Sequence, residues 1–529
     1  MKKISTSIFV FEDLINNGMC YVDKTRYLHK LITSDKELFC SRPRRFGKSL
    51  AISTLEAIFQ GKRELFKGLY IDSTDYDWKI YPVIHIDFGD CHAKDGKALE
   101  LWLHDKVCSI ASRYAVPLPE GRPSYSMFSH LIETLATKQG NVVVLVDEYD
   151  KVVNDNADKD VETVTELRET LRAFYAPIKT LNRYIRFAFI TGVTKYTKMG
   201  IFSELNNLTD ISMSASYATM FGYTQEELEK NFSDYIELGM RKTGLDREAY
   251  LGKMREMYDG YRFEEDAPKV YNPVSVGLFF SNGGKKFEPY WFETGGNTKL
   301  VMNVAKEVDF NIAVDPEKPV SALSLTRFDI AALKGPTVRL DDLKWLLYQT
   351  GYLTIKSYNP LLKTYTLEFP NQEVAGSFSA QLLGSYAPKM PDTMLSDLVG
   401  SLVEGRLEKF FTLLEGVYAS IDYPSKDPGE YDFAIVLKTL AYVYDPVVAM
   451  GEVHTSQGRA DMVVRLEGVI YLFEFKVDKS AEEALRQIEE KQYWQRFVPE
   501  EKPIHLVGVS FSKEKRNIVD WKEKTLKVD

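Results

Sequence analysis

Cysteine is scarce in this chain: four stand in 529 residues, Cys20, Cys40, Cys91 and Cys108, all in the first quarter. None makes a C-x-x-C pair or stands beside a histidine set, which excludes a zinc module or a disulfide-stapled scaffold built on them. They read as thiols of a reducing cytoplasm, the compartment expected for this protein. No apolar run approaches the roughly 18 residues a membrane-spanning helix needs, so no membrane partner is expected. The opening M-K-K-I-S-T-S-I-F-V-F-E-D lacks the apolar core of about 7 to 15 residues of a secretion signal, and Glu12 and Asp13 follow at once, so export is not expected. Basic charge is also short. Lys+Arg 67 against Asp+Glu 76 leaves a net charge of −9, which argues against indiscriminate adhesion to nucleic acid. Local basic strips remain at 42–48 and 513–527.

What is present is a soluble composition, 44% hydrophobic and 27% charged, on a chain long enough for two to four domains. The most informative stretch is F-C-S-R-P-R-R-F-G-K-S-L at 39–50, which reads as a strand, a tight loop and a helix start. In a phosphate-binding loop, backbone N–H groups and the first helical turn face the anion, the lysine reaches outer phosphates and the serine ligates magnesium. That assigns Gly47, Lys48 and Ser49. The glycine that usually opens such a loop is Arg42 here, followed by Pro43, Arg44 and Arg45. Both Arg44 and Arg45 are candidate phosphate contacts, against the alternative of solvated loop cations.

Strands and helices alternate afterwards: V-I-H-I-D-F at 83–88, a helical face over 97–114, the β-branched run V-V-V-L-V at 142–146, a helix over 161–181 and a strand over 186–190. This is the pattern of a parallel α/β sheet. The buried run at 142–146 leads straight into Asp147 and Glu148. An aspartate there can hold magnesium and its neighbour can orient or deprotonate the attacking water. A lone D-E pair more often just ends a strand; the upstream G-K-S reverses that preference. Thr191, ending the next strand, stands where a γ-phosphate sensor would lie, with a turn threonine as the alternative. Thr224 with Glu227 signs a capping box, and glycine and proline clusters past Tyr258 mark a junction placed near 285. Residues 341–369 read as a helix with a glycine stop and two strands, a winged-helix-like module; nothing basic in that helix favours DNA reading.

A second site lies near the C-terminus, where G-R-A-D-M-V-V-R-L (458–466) and V-I-Y-L-F-E-F-K-V (469–477) predict two strands turning at Glu467 and Gly468. Period-2 alternation puts Glu474 and Lys476 on one face of an apolar strand. Unpaired, such groups cost several kcal/mol each to bury, so with Asp461 on the adjoining strand they point to a metal site rather than a surface ion pair. In that reading Asp461 and Glu474 hold magnesium and Lys476 positions water or offsets developing negative charge, a hydrolytic nuclease constellation. Glu430, at the start of a helix expected over 430–444, is a further candidate metal ligand, and Glu452 another. Gln487 and Tyr493, placed on the following helix, either face the substrate or belong to an ordinary helix face.

With these stretches in hand, and with Y-V-D-K-T at 21–25, Y-D-G-Y-R-F at 258–263 and L-L-Y-Q-T-G-Y-L-T-I at 346–355 beside them, the chain resembles a prokaryotic family that joins an AAA-ATPase-like domain to a C-terminal PD-(D/E)XK nuclease-like domain. The resemblance covers nearly the whole chain. It implies a RecA-like P-loop NTPase sheet, placed over 1–285, with Tyr21 near the adenine edge, and a nuclease-like α/β domain, placed over 396–529; the helical and winged-helix-like region read from the pattern lies between them, over 286–395. It implies ATP and Mg2+ as cofactors, DNA or RNA as a candidate partner, and leaves oligomerisation open. The expected function is an ATP-hydrolysing protein coupled to a magnesium-dependent nuclease; the alternative is a nucleotide-switched binding or assembly protein whose C-terminal domain does not cut.

Overall fold

The computed structural model describes residues 1–195, 207–293, 301, 319–325, 339–386, 391, 393–420, 449–455 and 458–526. These fall into two compact units, one ending at Asn371 and one starting at Gln372.

The first unit is built on five parallel strands: β1 (Glu37–Ser41), β2 (Val83–Asp87), β3 (Val142–Asp147), β4 (Ile185–Gly192) and β5 (Thr209–Asp210), in the order β2-β3-β4-β1-β5. Strand β3 is buried along its whole length, as its unbroken β-branched run requires of a strand covered on both faces. Each of its apolar side chains removed from water stabilises the sheet by roughly 1.5–3 kcal/mol. The helix Lys48–Phe59 packs on β2 and β3 through its buried face, Ile52, Leu55, Ile58 and Phe59 among them. Helices Gly96–Arg113, Ser124–Gln139 and Val161–Thr180 pack on one another. Parallel register brings the chemically interesting ends together: Asp87 opposite Asp147, and Cys40 opposite Thr191. In an open parallel sheet, ligands bind beyond these carboxyl ends.

Beyond β5 the chain turns helical. The capping box at Thr224 and Glu227 forms as the sequence indicates, and an aromatic cluster that includes Tyr250, Tyr258, Tyr271 and Phe279 makes a second core. The helix Leu340–Thr350 stops at Gly351 in the left-handed conformation. It is followed by the hairpin β7 (Thr354–Asn359) and β8 (Thr364–Glu368), with β6 (Val320–Ser321) completing a three-stranded sheet in the order β6-β8-β7. Compactness divides the chain at 371/372, whereas the sequence divisions fall at 285 and 395. Gly260 shows one reason: a β carbon there would lie 1.8 Å from the Pro370 carbonyl oxygen. Asn371 Nδ2 also donates to Asp259 O at 2.8 Å. The helix and hairpin are thus packed into the first unit.

The second unit is a mixed sheet of β9 (Ala449–Thr455), β10 (Gly458–Arg465), β11 (Ile470–Val477), β12 (Ile504–Ser512) and β13 (Asn517–Leu526), ordered β13-β12-β11-β10-β9. Only β11 and β12 run parallel. Alternation along β11 sorts its two faces. Ile470 and Leu472 join Ile488, Tyr493 and Phe497 on the side of the helix Ala481–Lys491. Phe473 meets Phe410, and Phe475 meets Phe511, which in turn meets Tyr418; Phe410 and Tyr418 belong to the helix Leu407–Ser420.

Candidate functional sites

In the first unit, β1 ends at Ser41 and the loop closes on Gly47, whose φ of 94° caps the helix that begins at Lys48. A side chain is strained at that φ, which is why glycine stands there. Arg45 in the same loop also adopts a positive φ, 71°. The Lys48 ammonium turns back into the loop and donates to Arg42 O and Pro43 O, both at 3.0 Å. Burial pushes its pKa down, opposed by the nearby carboxylates of Asp147, Glu148 and Asp150. Arg44, Arg45, Gly47, Lys48 and Ser49 line a cavity of about 430 Å3 together with Tyr21, Glu148 and Asp87, a volume within the range of small-molecule sites.

Arg42 does not join them. Its side chain is 2% exposed and points inward, donating to Ser41 O at 2.9 Å and to the Ser212 carbonyl, with its guanidinium 4.2 Å above the Phe263 ring. The residue that replaces the usual glycine is thus a tether for the loop's first peptide, and the basic strip at 42–48 is shared between packing and cavity.

Asp147, 2% exposed, ends β3. Its Oδ1 accepts from Thr191 Oγ1 at 2.6 Å and from Glu148 N at 2.9 Å. Thr191 is fully buried, so its hydroxyl is directed to the aspartate. Glu148 has φ 52°, a strained conformation of the kind that clusters at functional sites. Burial raises its pKa, Asp147 adds to the rise, and Lys48 and Arg44 oppose it. The next two residues lock this turn: Tyr149 Oη donates to Thr194 O at 2.7 Å, and the Asp150 carboxylate accepts from the N–H of Thr194 at 2.6 Å and of Val193 at 3.1 Å. Gly192 is required there, because a β carbon would lie 2.4 Å from Asp150 Oδ1.

Sequence reasoning missed further walls of this cavity, among them Ser5 to Phe9 without Ser7, Met220 to Tyr223, and Pro273 with Val274. These come from three separate stretches and carry no motif. Asp87 was also missed, although an aspartate ending an apolar strand is the same signal that marked Asp147.

In the second unit, Asp461 on β10 and Glu474 and Lys476 on β11 come together. Asp461 Oδ2 accepts from Phe475 N at 2.9 Å. Glu474 is 1% exposed; its Oε1 accepts from Lys476 Nζ at 3.1 Å and from Gln487 Nε2, which also stands 3.3 Å from Tyr493 Oη. Among the described residues Glu474 Oε2 has no hydrogen-bond partner. Burial, with the Asp461 charge adding and Lys476 opposing, pushes the Glu474 pKa up to about 7. Gln487 and Tyr493 therefore face the site. Tyr493 is not on the helix, as the pattern suggested, but opens the 3-10 segment Tyr493–Glu500 after Gln492 turns left-handed.

Gly508, opposite Glu474 in the β11–β12 register, explains how the helix comes so near. A β carbon there would lie 2.3 Å from Ala481 O and 2.5 Å from Leu485 N. Glu430 lies outside the described residues, and Glu452 sits on β9. No group of three acidic, histidine or cysteine side chains able to hold a metal stands together among the described residues. Within the expected basic strip near the C-terminus, Lys522 and Lys524 on β13 pair with Glu482 and Glu489.

The family model described as predicted AAA-ATPase matches residues 5–202, and that of the PD-(D/E)XK nuclease superfamily matches residues 430–521. A curated relative from Azotobacter chroococcum mcd 1, an uncharacterized protein in the vnfD 5' region, is 35% identical over 525 residues, covering 95% of this chain and 94% of its own. The chain belongs to that family, which joins a predicted AAA-ATPase domain to a PD-(D/E)XK nuclease superfamily domain. Similarity to solved structures is weak. The Aeropyrum pernix ORC1 protein in complex with DNA is 11% identical with a TM-score of 0.25, over 68% of this chain and 91% of that one. The ORC2 protein of the same organism, in ADPNP-ADP complexes, is 12% identical with a TM-score of 0.21, over 70% and 93%. Scores this low carry no functional comparison. Among the described residues no helix is long and apolar enough to cross a membrane.

Proposed function

We propose that this family member binds and hydrolyses ATP with Mg2+ in the first unit, and that its second unit is a metal-dependent nuclease acting on DNA or RNA. The observation that carries the ATPase reading is that the phosphate loop and a strained Glu148 line one cavity. The helix N-terminus at Lys48 offers its unpaired N–H groups and positive dipole end to a polyphosphate. Lys48, oriented by its two loop carbonyls, offers its remaining N–H to phosphate oxygens, while Arg44 and Arg45 supply further cationic contacts and Tyr21 borders the base. Ser49 and Asp147 are hard oxygen donors of the kind magnesium takes, and Thr191 holds the aspartate in place. Mg2+, when bound, neutralises phosphate charge. Glu148, its pKa raised by burial, orients the attacking water and takes its proton.

In the second unit the buried, partnerless Glu474 Oε2 fits a cation ligand, since a buried acceptor without a partner is costly. Asp461 shares that task, with Glu430 as a further ligand. A bound cation supplies polarisation of the phosphodiester. Lys476 positions water against the scissile phosphate or offsets the charge that develops there, and Gln487 holds Glu474 in line.

Purified protein given ATP with magnesium, and then single- and double-stranded DNA and RNA with magnesium or manganese, tests both halves. Folded protein that turns over none of them sinks the enzyme reading. One observation favours the second reading, a nucleotide-switched binding protein: only two carboxylates converge at the second site among the described residues. In that case nucleic acid or a partner is retained without cleavage, and Lys48→Ala alters the retention.

A further inference from the structure

We infer that Trp291 and Gly351, which lie outside the five-stranded sheet, are positioning residues for the nucleotide site, because they fix the backbone of Pro43 and Arg44 from behind the phosphate loop. The inference rests on the ATP-binding reading. Lys48 is oriented by the carbonyls of Arg42 and Pro43, so whatever sets those two peptides sets the ammonium. Arg42 is tethered by its own side chain. Pro43 has no N–H to tie down and a fixed φ, so contact on its ring is a direct way to hold the peptide that follows it.

That contact is Gly351. At φ +90° it ends the helix Leu340–Thr350, with its N–H donating to Tyr348 O at 3.1 Å and that of Tyr352 to Leu347 O at 2.8 Å. A β carbon on Gly351 would lie 2.7 Å from Pro43 Cβ, 3.1 Å from Pro43 Cγ and 3.5 Å from Trp291 Cζ2. The proline ring therefore sits in a notch only glycine leaves open. Beside it Trp291, 1% exposed, donates Nε1–H to Arg44 O at 3.3 Å and meets the Tyr352 ring edge-on at 5.5 Å. Gln349 adds a third tie, its Oε1 accepting from Lys195 N at 2.7 Å just past β4. The helix stop thus reaches both the phosphate loop and the exit of the strand that carries Thr191. This also accounts for the loop's large residues: one side of it borders the cavity while the other packs on this notch.

Titrating the full chain with a fluorescent ATP analogue and magnesium tests this. Gly351→Ala forces the Pro43 peptide to move and should weaken binding at least about tenfold, since small displacements at a site are expensive. Pro43→Gly clears the space, so the double variant should bind within about twofold of Pro43→Gly alone, the margin expected when the second change no longer meets the first. Trp291→Phe keeps the packing, loses the N–H and should weaken binding by about threefold to tenfold, one ordinary hydrogen bond. Rescue by the double variant separates positioning from loss of fold, which Pro43→Gly would not repair. The inference is overturned if folded Gly351→Ala binds like the wild type, or if the double variant loses the product of the two single losses. If Gly351→Ala does not fold, an unchanged affinity of Trp291→Phe overturns it. A wild type that binds no analogue, or binds it as Lys48→Ala does, removes the ATP reading and this role with it, a result distinct from wild-type binding that the variants leave untouched.

Discussion

Acidic side chains do different work in the two units. In the first, Asp87, Asp147 and Glu148 sit at or just beyond the ends of parallel strands; register sets Asp87 opposite Asp147, and Asp87 and Glu148 line the cavity. In the second, Glu474 and Lys476 interrupt the middle of the sheet, and the carboxylate is held by other side chains, from the strand itself and from a helix that Gly508 admits. A strand-end site needs only topology to gather its residues, and backbone N–H groups supply much of its polarity. A mid-strand site must offset the cost of burying charge with pairing and hydrogen bonds. The first arrangement tolerates large loop residues such as Arg44 and Arg45, while the second depends on a single absent β carbon.

That contrast predicts separable losses. Glu148→Gln should lower ATP hydrolysis by about 10²–10⁴ while nucleotide binding persists, as for loss of a general base, and Lys476→Ala should lower nucleic-acid cleavage by about 10²–10³. Each is to be assayed for both reactions; equal losses of both activities in either variant would break the comparison. Lys48→Ala should weaken nucleotide binding by about 100-fold in a titration, the scale of a lost charge-assisted contact in a buried site.

Glu474 gives the second site a pH signature of its own. Its folded pKa is about 7 against an ordinary 4.5, so the fold favours the protonated form. The contribution is complete below pH 4.5 and is lost as pH rises through 7, about 3 kcal/mol in the absence of metal. Hydrogen exchange of β11 amides should therefore be slower at pH 5.5 than at pH 8 after correction for intrinsic rates. Glu474→Gln should remove that difference, and a difference that survives would contradict the assignment. The smallest effect is expected from Thr191→Val, which deletes the bond to Asp147 without changing shape: about 1 kcal/mol, read as a fewfold loss in hydrolysis at saturating ATP, with Thr191→Ser restoring it.

Much of this was legible beforehand. The continuous apolar run at 142–146 could only be a strand covered on both faces, and an aspartate at its end had to reach the sheet's edge. Period-2 alternation likewise put Glu474 beside Lys476. The cavity walls were not legible, because Ile8, Phe221 and Val274 look like any other apolar residues until the chain brings them together. Arg42 read as a variant phosphate loop, yet whether its guanidinium faced in or out depended on Phe263 and Ser212, some 170 to 220 residues away.

The sequence by itself determined the chemistry at hand: which strands exist, which side of each strand a residue faces, and which acids, lysines and serines stand at strand and helix ends. These follow from local periodicity and backbone preference, which act within a few residues. Only the tertiary structure decided partners: that Thr191 serves Asp147, that Gln487 reaches Glu474 across Gly508, and that Pro43 rests on Gly351. Such pairings are set by packing between distant segments, where a missing β carbon or a buried carbonyl counts for more than any motif.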